Sequence, residues 1–185
     1  MIDLIPRLQP RAFSIARASE AATTSLAAPA RQNLDAALRT LEVCVAVLSY
    51  KTPWKRPRAG VCSTWLSKRS VGDAVPVWIG PGTFPEATGL ATDAPLIMIG
   101  PGTGVAPMRA FLQARLHRRA IAAAQGAPSA ALPLPPPDVL FFGCRGEKKD
   151  YLYGDEWQAL QASGQLVLHT AFSRDQGQKI YVQHR

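Results

Sequence analysis

The sequence predicts an α+β unit of mostly antiparallel strands, followed by an α/β unit with a parallel sheet. In the first half of the 185-residue chain, alternating and β-branched segments dominate. From Leu96 onwards, apolar strands alternate with helical segments, which is typical of a parallel sheet. We place the boundary near residues 85–94, which gives domains at 1–92 and 93–185.

In the first half, the pattern predicts three strands and one short helix. The strands are expected at Arg11–Ile15, Leu41–Tyr50 and Ala74–Ile79, where apolar residues recur at every second position. Ser63 is a candidate cap for a helix over Thr64–Lys68.

In the second half, the pattern predicts three buried strands and two helices. Val105, Met108, Leu112 and Leu116 follow one another at helical spacing, so a helix is expected directly after the first strand. An Ala/Pro-rich stretch at about 120–137 is expected to be a surface insertion. The remaining expected elements are strands at Leu96–Ile99, Val139–Phe142 and Leu166–Phe172, and a helix at Asp155–Leu160.

Composition narrows the possible classes of protein. The hydrophobic fraction of 47% excludes wholesale disorder. No apolar run reaches the roughly 18 residues of a membrane span, so we expect no membrane segment, and the start of the chain does not resemble a signal peptide. Cys44, Cys62 and Cys144 form no Cys-x-x-Cys motif and indicate free thiols in a reducing compartment. No metal site is expected.

The net charge of +8 is spread along the chain, with its densest cluster at Lys51, Lys55, Arg56 and Arg58. A stripe of interleaved basic and aromatic residues is missing, so nucleic-acid binding is not the expected role. An acidic partner, either a phosphate group or an acidic protein, explains the charge equally well.

A glycine-rich turn, Gly100-Pro-Gly-Thr-Gly104, lies between the first parallel strand and the helix that follows it. Glycines allow a phosphate to approach the backbone closely, and the helix start offers free N–H groups. A tight turn without a ligand is the alternative. The similar segment at 79–83 lacks a following helix, and we interpret it as a loop.

Other candidate sites follow strands or precede a helix. Ser173 and Arg174, with Lys179, Tyr181 and Gln183 downstream, suit a dianionic phosphate such as the 2′-phosphate of NADP; an ordinary solvated helix start is the alternative. Arg11 and Phe13 could serve a pyrophosphate and a flat ring, or be an exposed cation and a core aromatic. Gly60–Ser63 could bind an anion or only begin a helix. Cys144 and Arg145 follow a strand, and a structural thiol is the alternative for Cys144.

Taken together, the motifs RAFS, VCVAV, GVCS, IGPGTGVAP, FFGCR and AFSRDQGQKIYVQ resemble the ferredoxin–NADP reductase superfamily, in its diflavin reductase branch. The resemblance covers nearly the whole chain apart from residues 18–33 and the insertion. It implies part of an antiparallel FAD-binding β-barrel, then part of a Rossmann-like NADP-binding domain. The segments DLIP and PRAGVCSTWL look most like the cytosolic members of that branch.

The resemblance also implies roles for individual residues. It assigns Arg11 to the FAD pyrophosphate, Phe13 to the flavin ring and Ser14, as the catalytic residue, to the reactive N5. Phe13 stands where the family usually has Tyr. The other implied FAD contacts are Cys44, Val45, Val47, Gly60, Val61, Cys62 and Ser63. The implied NADPH contacts are Gly102, Thr103, Gly104, Cys144, Arg145, Ser173, Arg174, Lys179, Tyr181 and Gln183.

The implied activity is hydride transfer from NADPH to FAD, followed by electron transfer to FMN and a protein acceptor. The members that this chain most resembles are cytoplasmic and reduce an anamorsin-type iron–sulfur protein during cytosolic iron–sulfur assembly. The implied partners are therefore an acidic FMN domain in the full-length chain and that acceptor. Alternatives are a membrane-anchored haemoprotein reductase and a non-enzymatic dinucleotide-binding module.

Measured against the family pattern, several parts are expected to be missing from this chain. They are the FMN domain, the first barrel strands, and a late segment that supplies a Cys, an Asp and a terminal aromatic residue beside the flavin. We therefore expect the 185 residues alone to be an incomplete and inactive half of the enzyme.

Overall fold

The structure is a computed structural model that describes residues 8–18, 40–82, 84, 94–124 and 136–185. These residues form two compact units. The first unit contains the described residues among Met1–Phe13 and Val45–Pro81, and the second contains those among Ser14–Cys44 and Gly82–Arg185. Most of the expected boundary near 85–94, and residues 125–135 of the expected insertion, lie outside the described residues. The domains at 1–92 and 93–185 stay a prediction.

The first unit is built around one antiparallel hairpin. Strands β3 (Ser49–Lys51) and β4 (Pro57–Ala59) pair with Tyr50 opposite Arg58. Helix α1 (Val61–Leu66) follows directly. Gly60, whose backbone is extended, is its N-terminal capping residue. The helix expected at Thr64–Lys68 therefore exists but starts three residues earlier, and Ser63 lies inside it rather than at its cap.

Three strand predictions for the first half were wrong in whole or in part. The single strand at Leu41–Tyr50 is two strands separated by residues 44–48, which are irregular. The Leu48 N–H donates to Ser63 Oγ (3.1 Å) and the Leu48 carbonyl accepts from Gly60 N–H (2.8 Å). These bonds replace the ladder that a continuous strand would need.

The other two predicted strands are Ala74–Ile79 and Arg11–Ile15. Ala74–Ile79 forms no strand, because its apolar side chains have nothing to pack against among the described residues: Val77 and Trp78 are 74% and 72% exposed. Pro76 also removes one ladder donor. Of the strand expected at Arg11–Ile15, only Ile15 is extended into a ladder.

The second unit contains an antiparallel pair and a parallel sheet. Strands β1 (Ile15–Ala18) and β2 (Leu41–Val43) pair with Ile15 opposite Val43 and a register shift between Ile15 and Arg17. The parallel sheet has the strand order β5-β6-β7. It confirms the parallel sheet predicted for the second half of the chain. Its strands are β5 (Ile97–Pro101), β6 (Asp138–Cys144) and β7 (Leu166–Phe172).

Helices connect the parallel strands and form the core with them. A 3₁₀ turn (Gly102–Gly104) leads from β5 into a long helix, and two further helices follow β6 and precede β7 in the chain. The largest apolar core side chains are Trp157, Phe142, Leu112 and Leu140, all nearly inaccessible to solvent. The helix bounds are Val105–Ala124 for α2, Glu147–Asp150 for α3 and Gly154–Ala162 for α4, and a final 3₁₀ turn spans Val182–His184.

A buried ion pair fixes α2 to the start of the sheet. Arg115 on α2 lies 3.0 Å from Asp138, the first residue of β6, and both side chains are almost fully buried. Asp138 also accepts a hydrogen bond from Leu96 N–H (2.8 Å), and Arg115 donates to the Ala94 carbonyl (2.6 Å). Because a buried charge is costly unless it is paired, this contact constrains how the helix lies on the sheet.

The described antiparallel strands form only two-stranded pairs, so the barrel stays a prediction. No helix in the described ranges is long and apolar enough to cross a membrane.

Candidate functional site

The candidate nucleotide site is the edge of the parallel sheet at which β5, β6 and β7 end. Parallel strands all end at the same edge, and open α/β sheets bind their ligands there. This edge brings together the Gly102–Gly104 turn, Cys144 with Arg145, and Ser173 with Arg174. We call it the strand edge.

After β5, the turn depends on two glycines for different reasons. A Cβ on Gly100 would lie 2.8 Å from the Val105 Cα, so only glycine lets the start of α2 approach the strand so closely. Gly102 has φ +56°, a left-handed conformation that favours glycine, and nothing lies within 4 Å of the place of its Cβ. The turn is therefore held tightly on one side and open on the other. An open glycine backbone fits the close approach of a phosphate.

At the end of β6, Cys144 and Arg145 have different environments. Cys144 is buried with its thiol 3.5 Å from the Gly146 carbonyl, and burial raises the pKa of this thiol. Arg145 is exposed and forms two hydrogen bonds with Asp150, at 2.6 and 2.9 Å. Through that contact Arg145 lowers the pKa of Asp150, while its own pKa is raised. Arg145 therefore already has an anionic partner within the protein.

Backbone hydrogen bonds join the end of β7 to the end of β6. Ser173 N–H donates to the Cys144 carbonyl (2.9 Å), and Arg174 N–H donates to the Arg145 carbonyl (2.8 Å). The Ser173 hydroxyl also lies 3.3 Å from the Cys144 carbonyl. The segment that carries Ser173 and Arg174 is therefore held in register with β6 beyond the last residues of the ladder.

Asp175 strengthens this connection and was missed by the sequence reasoning. Its carboxylate accepts a hydrogen bond from Glu147 N–H at 2.8 Å, at the start of α3. A Cβ on Gly146 would lie 2.6 Å from that carboxylate, so a larger residue there would displace the Asp175 side chain. The only sequence signal was a glycine two residues after Cys144, which cannot reveal a partner 29 positions away.

The final turn also lies against the strand edge. A Cβ on Gly143 would lie 2.7 Å from Val182, so the final turn packs on the end of β6. Tyr181 N–H donates to His184 Nδ1 at 3.1 Å, while the Tyr181 ring is 43% exposed. Gln183, next to Val182, is exposed as well. The predicted adenine contacts therefore lie in the turn that packs beside β6.

Arg174 and Lys179 differ from Arg145, since neither has an acidic partner among the described residues. Both are exposed, and neither forms an ion pair with any residue in the described part of the chain. The Ser173 hydroxyl and these two cations follow a parallel strand in the chain, and this combination matches the chemistry of a phosphate dianion. The donors at the strand edge therefore fit an anionic nucleotide.

The residues predicted to bind flavin are divided between the two units. Ser14 directly precedes β1 and Cys44 directly follows β2, so both belong to the antiparallel pair of the second unit. The other predicted flavin residues belong to the first unit; they are Arg11, Phe13, Val45, Val47, Gly60, Val61, Cys62 and Ser63.

In the first unit, Arg11 and Phe13 lie in the irregular segment at residues 8–13. The Arg11 guanidinium donates to the Gln9 carbonyl at 2.8 Å but remains exposed, and the Phe13 ring is 38% exposed. An accessible ring and an accessible cation fit a flat anionic ligand better than a core aromatic residue would. The branched side chain of Val47 is also more than half exposed.

Ser63 is already fully used within the first unit. Its hydroxyl accepts from Leu48 N–H (3.1 Å) and lies 3.4 Å from the Gly60 carbonyl, and the side chain is buried. Cys62 is half-buried and Val61 exposed. The Ser63 hydroxyl therefore joins the start of α1 to Leu48 and Gly60.

A buried arginine, Arg109 on α2, was not anticipated from the sequence. It lies 2.8 Å from Glu42 on β2 and 2.7 Å from Glu156 on α4. Burial would lower its pKa, but hydrogen bonds with Glu156 and Glu42 outweigh that effect and leave the pKa raised. Its guanidinium also lies 4.3 Å from the centre of the Tyr153 ring. These contacts join residues up to 67 positions apart, which no local pattern reveals.

No cluster of potential metal ligands occurs among the described residues.

Comparison with known proteins gives a consistent set of relatives. The family described as "Oxidoreductase NAD-binding domain" matches residues 98–185. The chain is 44% identical over 191 residues to NADPH-dependent diflavin oxidoreductase 1 of Mus musculus and 38% identical over 194 residues to that of Arabidopsis thaliana. It is 37% identical over 186 residues to NADPH–cytochrome P450 reductase of Drosophila melanogaster.

These matches cover 100%, 100% and 98% of this chain but 26%, 26% and 23% of the relatives. The chain therefore spans about a quarter of the length of the curated relatives that it matches.

Proposed function

Because this chain belongs to the diflavin reductase family, we propose that it forms the FAD- and NADPH-binding part of an NADPH-dependent flavoprotein oxidoreductase. The observation that supports this most is the strand edge, where an open glycine turn, the Ser173 hydroxyl and the exposed Arg174 lie together. In the proposed reaction a hydride passes from NADPH to FAD, and electrons then pass to FMN and a protein acceptor.

The chain's own residues would bind and orient NADPH. The Gly102–Gly104 turn would approach the pyrophosphate, with the Thr103 hydroxyl beside it. Ser173, Arg174 and Lys179 would hold the 2′-phosphate, and Tyr181 and Gln183 the adenine. A phosphate of nearly two negative charges favours two cations, so this set selects NADPH over NADH. Cys144 would line the nucleotide, and Arg145 would reach it only by leaving Asp150.

The proposed flavin residues lie in what would be part of an antiparallel FAD-binding barrel. When bound, NADPH would be the hydride donor and FAD the hydride acceptor, and these residues would hold and orient the flavin. The Ser14 hydroxyl would donate a hydrogen bond to flavin N5, and Phe13 would cover the ring. Arg11 would bind the pyrophosphate.

The remaining proposed flavin residues would provide backbone and apolar surface. Cys44, Val45 and Val47 would line the flavin, and the turn Gly60–Ser63 would approach its phosphates through backbone N–H groups. Since the Ser63 hydroxyl is bonded to Leu48 and faces Gly60, we assign it to maintaining that turn.

The acceptor side of the reaction is proposed from the family's organisation. FMN and its acidic domain would lie elsewhere in the full-length protein, and the net charge of +8 supports an acidic partner. The proposed acceptor is an anamorsin-type iron–sulfur protein in the cytoplasm. A second candidate acceptor is a haemoprotein, which the cytochrome P450 reductase relatives at 35% and 37% identity favour. Rates with the two purified acceptors would distinguish them.

The test is flavin binding by the full-length protein that carries this chain. We expect the purified protein to be yellow, to release FAD on denaturation and to oxidise NADPH faster than NADH. Phe13→Ala should lose FAD because the ring loses its stacking partner, whereas Phe13→Tyr should keep it.

A matched control is Trp54→Ala in the same unit, since Trp54 is an aromatic residue that is 81% exposed. It should retain FAD. A colourless wild-type protein that binds NADPH would contradict the proposal and favour a dinucleotide-binding module. Full FAD content in Phe13→Ala would remove Phe13 from the site.

A further inference from the structure

Arg109 joins three elements through one buried guanidinium. It is 6% exposed and lies in the second turn of α2, five residues after Gly104. Its Nη1 lies 2.8 Å from Glu42 Oε2 on β2 and 3.3 Å from the Ala16 carbonyl on β1. Its Nε donates to Glu156 Oε2 on α4 at 2.7 Å. A planar guanidinium that is bonded on several sides has little freedom to move.

The two strands that Arg109 contacts flank the residues proposed to bind flavin. Ser14 immediately precedes β1, and Cys44 immediately follows β2. The helix that carries Arg109 begins at the turn proposed to bind NADPH. All these residues belong to the second unit. The Arg109 side chain therefore connects the strands beside the proposed flavin residues with the helix that follows the proposed NADPH turn.

Tyr153 completes the same cluster. Its ring lies 4.3 Å from the Arg109 guanidinium, and Cys44 is a neighbour of its hydroxyl. Burial, followed by the neighbouring Cys44, raises the pKa of Tyr153 to about 12, so the phenol remains protonated and neutral. Tyr153 has φ +59°, an uncommon conformation for a non-glycine residue. The cluster thus also includes Cys44 as a neighbour of Tyr153.

We propose that Arg109 is a positioning residue that fixes the β1–β2 pair against the start of α2, and so aligns the flavin with the nicotinamide. This inference rests on the proposed function. Hydride transfer is sensitive to small displacements of the reacting atoms, so loosening this contact should slow the transfer more than it weakens cofactor binding.

Arg115 on the same helix provides a matched control. It is also a buried arginine paired with a carboxylate, but its partners are Asp138 at the start of β6 and the Ala94 carbonyl. Those groups lie at the opposite edge of the sheet from the strand edge, because β6 begins at Asp138. If α2 only needs a buried ion pair for stability, then Arg109 and Arg115 should be equivalent in their effect on the reaction.

The test uses the full-length reductase with Arg109→Lys and Arg115→Lys. The measurements are FAD content, the dissociation constant of NADP⁺, the rate of flavin reduction in a single turnover and the charge-transfer absorbance of the flavin–nicotinamide pair. For Arg109→Lys we expect a loss of about tenfold to a hundredfold in that rate, a weaker charge-transfer band, and little change in FAD content or NADP⁺ affinity. Arg115→Lys should lower thermal stability without changing the rate in protein that remains folded.

A second pair of variants covers the case in which Arg109→Lys does not fold. Glu42→Gln weakens the contact to the β1–β2 pair, and Glu156→Gln weakens the contact to α4. Glu42→Gln should slow flavin reduction more than Glu156→Gln does, because only Glu42 lies on a strand beside Ser14 and Cys44.

Equal rates in Arg109→Lys and Arg115→Lys, or equal rates in the two glutamate variants, would overturn the inference. Failure of the proposed function would look different: the wild-type protein itself would lack FAD or would not oxidise NADPH.

Discussion

The sequence Ile-Gly-Pro-Gly occurs twice in this chain, and the two copies have different structures. The copy that begins at Ile99 ends strand β5 and enters the 3₁₀ turn before α2. The copy that begins at Ile79 has no regular structure, and Ile79 is 72% exposed. A Cβ on Gly100 would collide with Val105, whereas nothing lies within 4 Å of the corresponding position on Gly80. The structure of the motif is therefore set by a paired strand and a following helix, not by its four residues.

The largest effect should come from the residue before each copy. Met98 precedes Ile99 and is 2% exposed, whereas Trp78 precedes Ile79 and is 72% exposed. Met98→Ala should lower the free energy of unfolding by about 2–5 kcal/mol, because it opens a cavity in the core. Trp78→Ala should change it by about 0.5 kcal/mol or less. Urea unfolding of both variants measures these free energies. Comparable losses would mean that the copy at Ile79 is packed as well.

A smaller effect is expected for the first glycine of each copy. Gly100→Ala should cost about 1–3 kcal/mol, because its Cβ would meet backbone atoms of Val105 that cannot move without shifting α2. Gly80→Ala should be nearly neutral because its surroundings are open. Thermal unfolding of the pair gives the comparison. A neutral Gly100→Ala would show that α2 does not approach β5 as closely as the structure has it.

The smallest effect concerns Asp150, the partner of Arg145 at the strand edge, which the copy at Ile99 helps to form. The hydrogen bond from Arg145 holds the pKa of Asp150 below its ordinary value of 3.8. A depressed pKa stabilises the folded state above the unfolded pKa, and this contribution is lost as the pH falls through the folded pKa. Arg145→Gln should raise the pKa of Asp150 in an NMR titration. An unchanged value would mean that the pair does not form in solution.

The same contrast explains which parts of the fold were predictable from sequence. The three parallel strands, α2 and α4 were predicted because apolar runs and helical spacing record burial directly. Leu41–Tyr50 and Ala74–Ile79 carry the alternation typical of strands, yet a strand also needs a partner. The partners of Leu48 are Gly60 and Ser63. Local patterns contain no record of such pairing.

The site residues divide in the same way. Ser173 and Arg174 follow a strand that was predicted with its observed bounds, so their place at the strand edge could be deduced. The contacts of Arg109 with Glu42 and of Asp175 with Glu147 span 67 and 28 positions. They depend on how β1, β2 and α3 pack, and a single sequence gives no access to that packing.

The central claim is that the strand edge binds the 2′-phosphate of NADPH, and Arg174→Ala tests it most directly. A charge-assisted hydrogen bond contributes about 1.5–3 kcal/mol, so kcat/KM for NADPH should fall by about tenfold to a hundredfold. The value for NADH, which lacks the phosphate, should hardly change. Lys68→Ala removes an exposed cation of the first unit and should alter neither value. Equal losses with NADPH and NADH in Arg174→Ala, or no loss with either, would contradict the account.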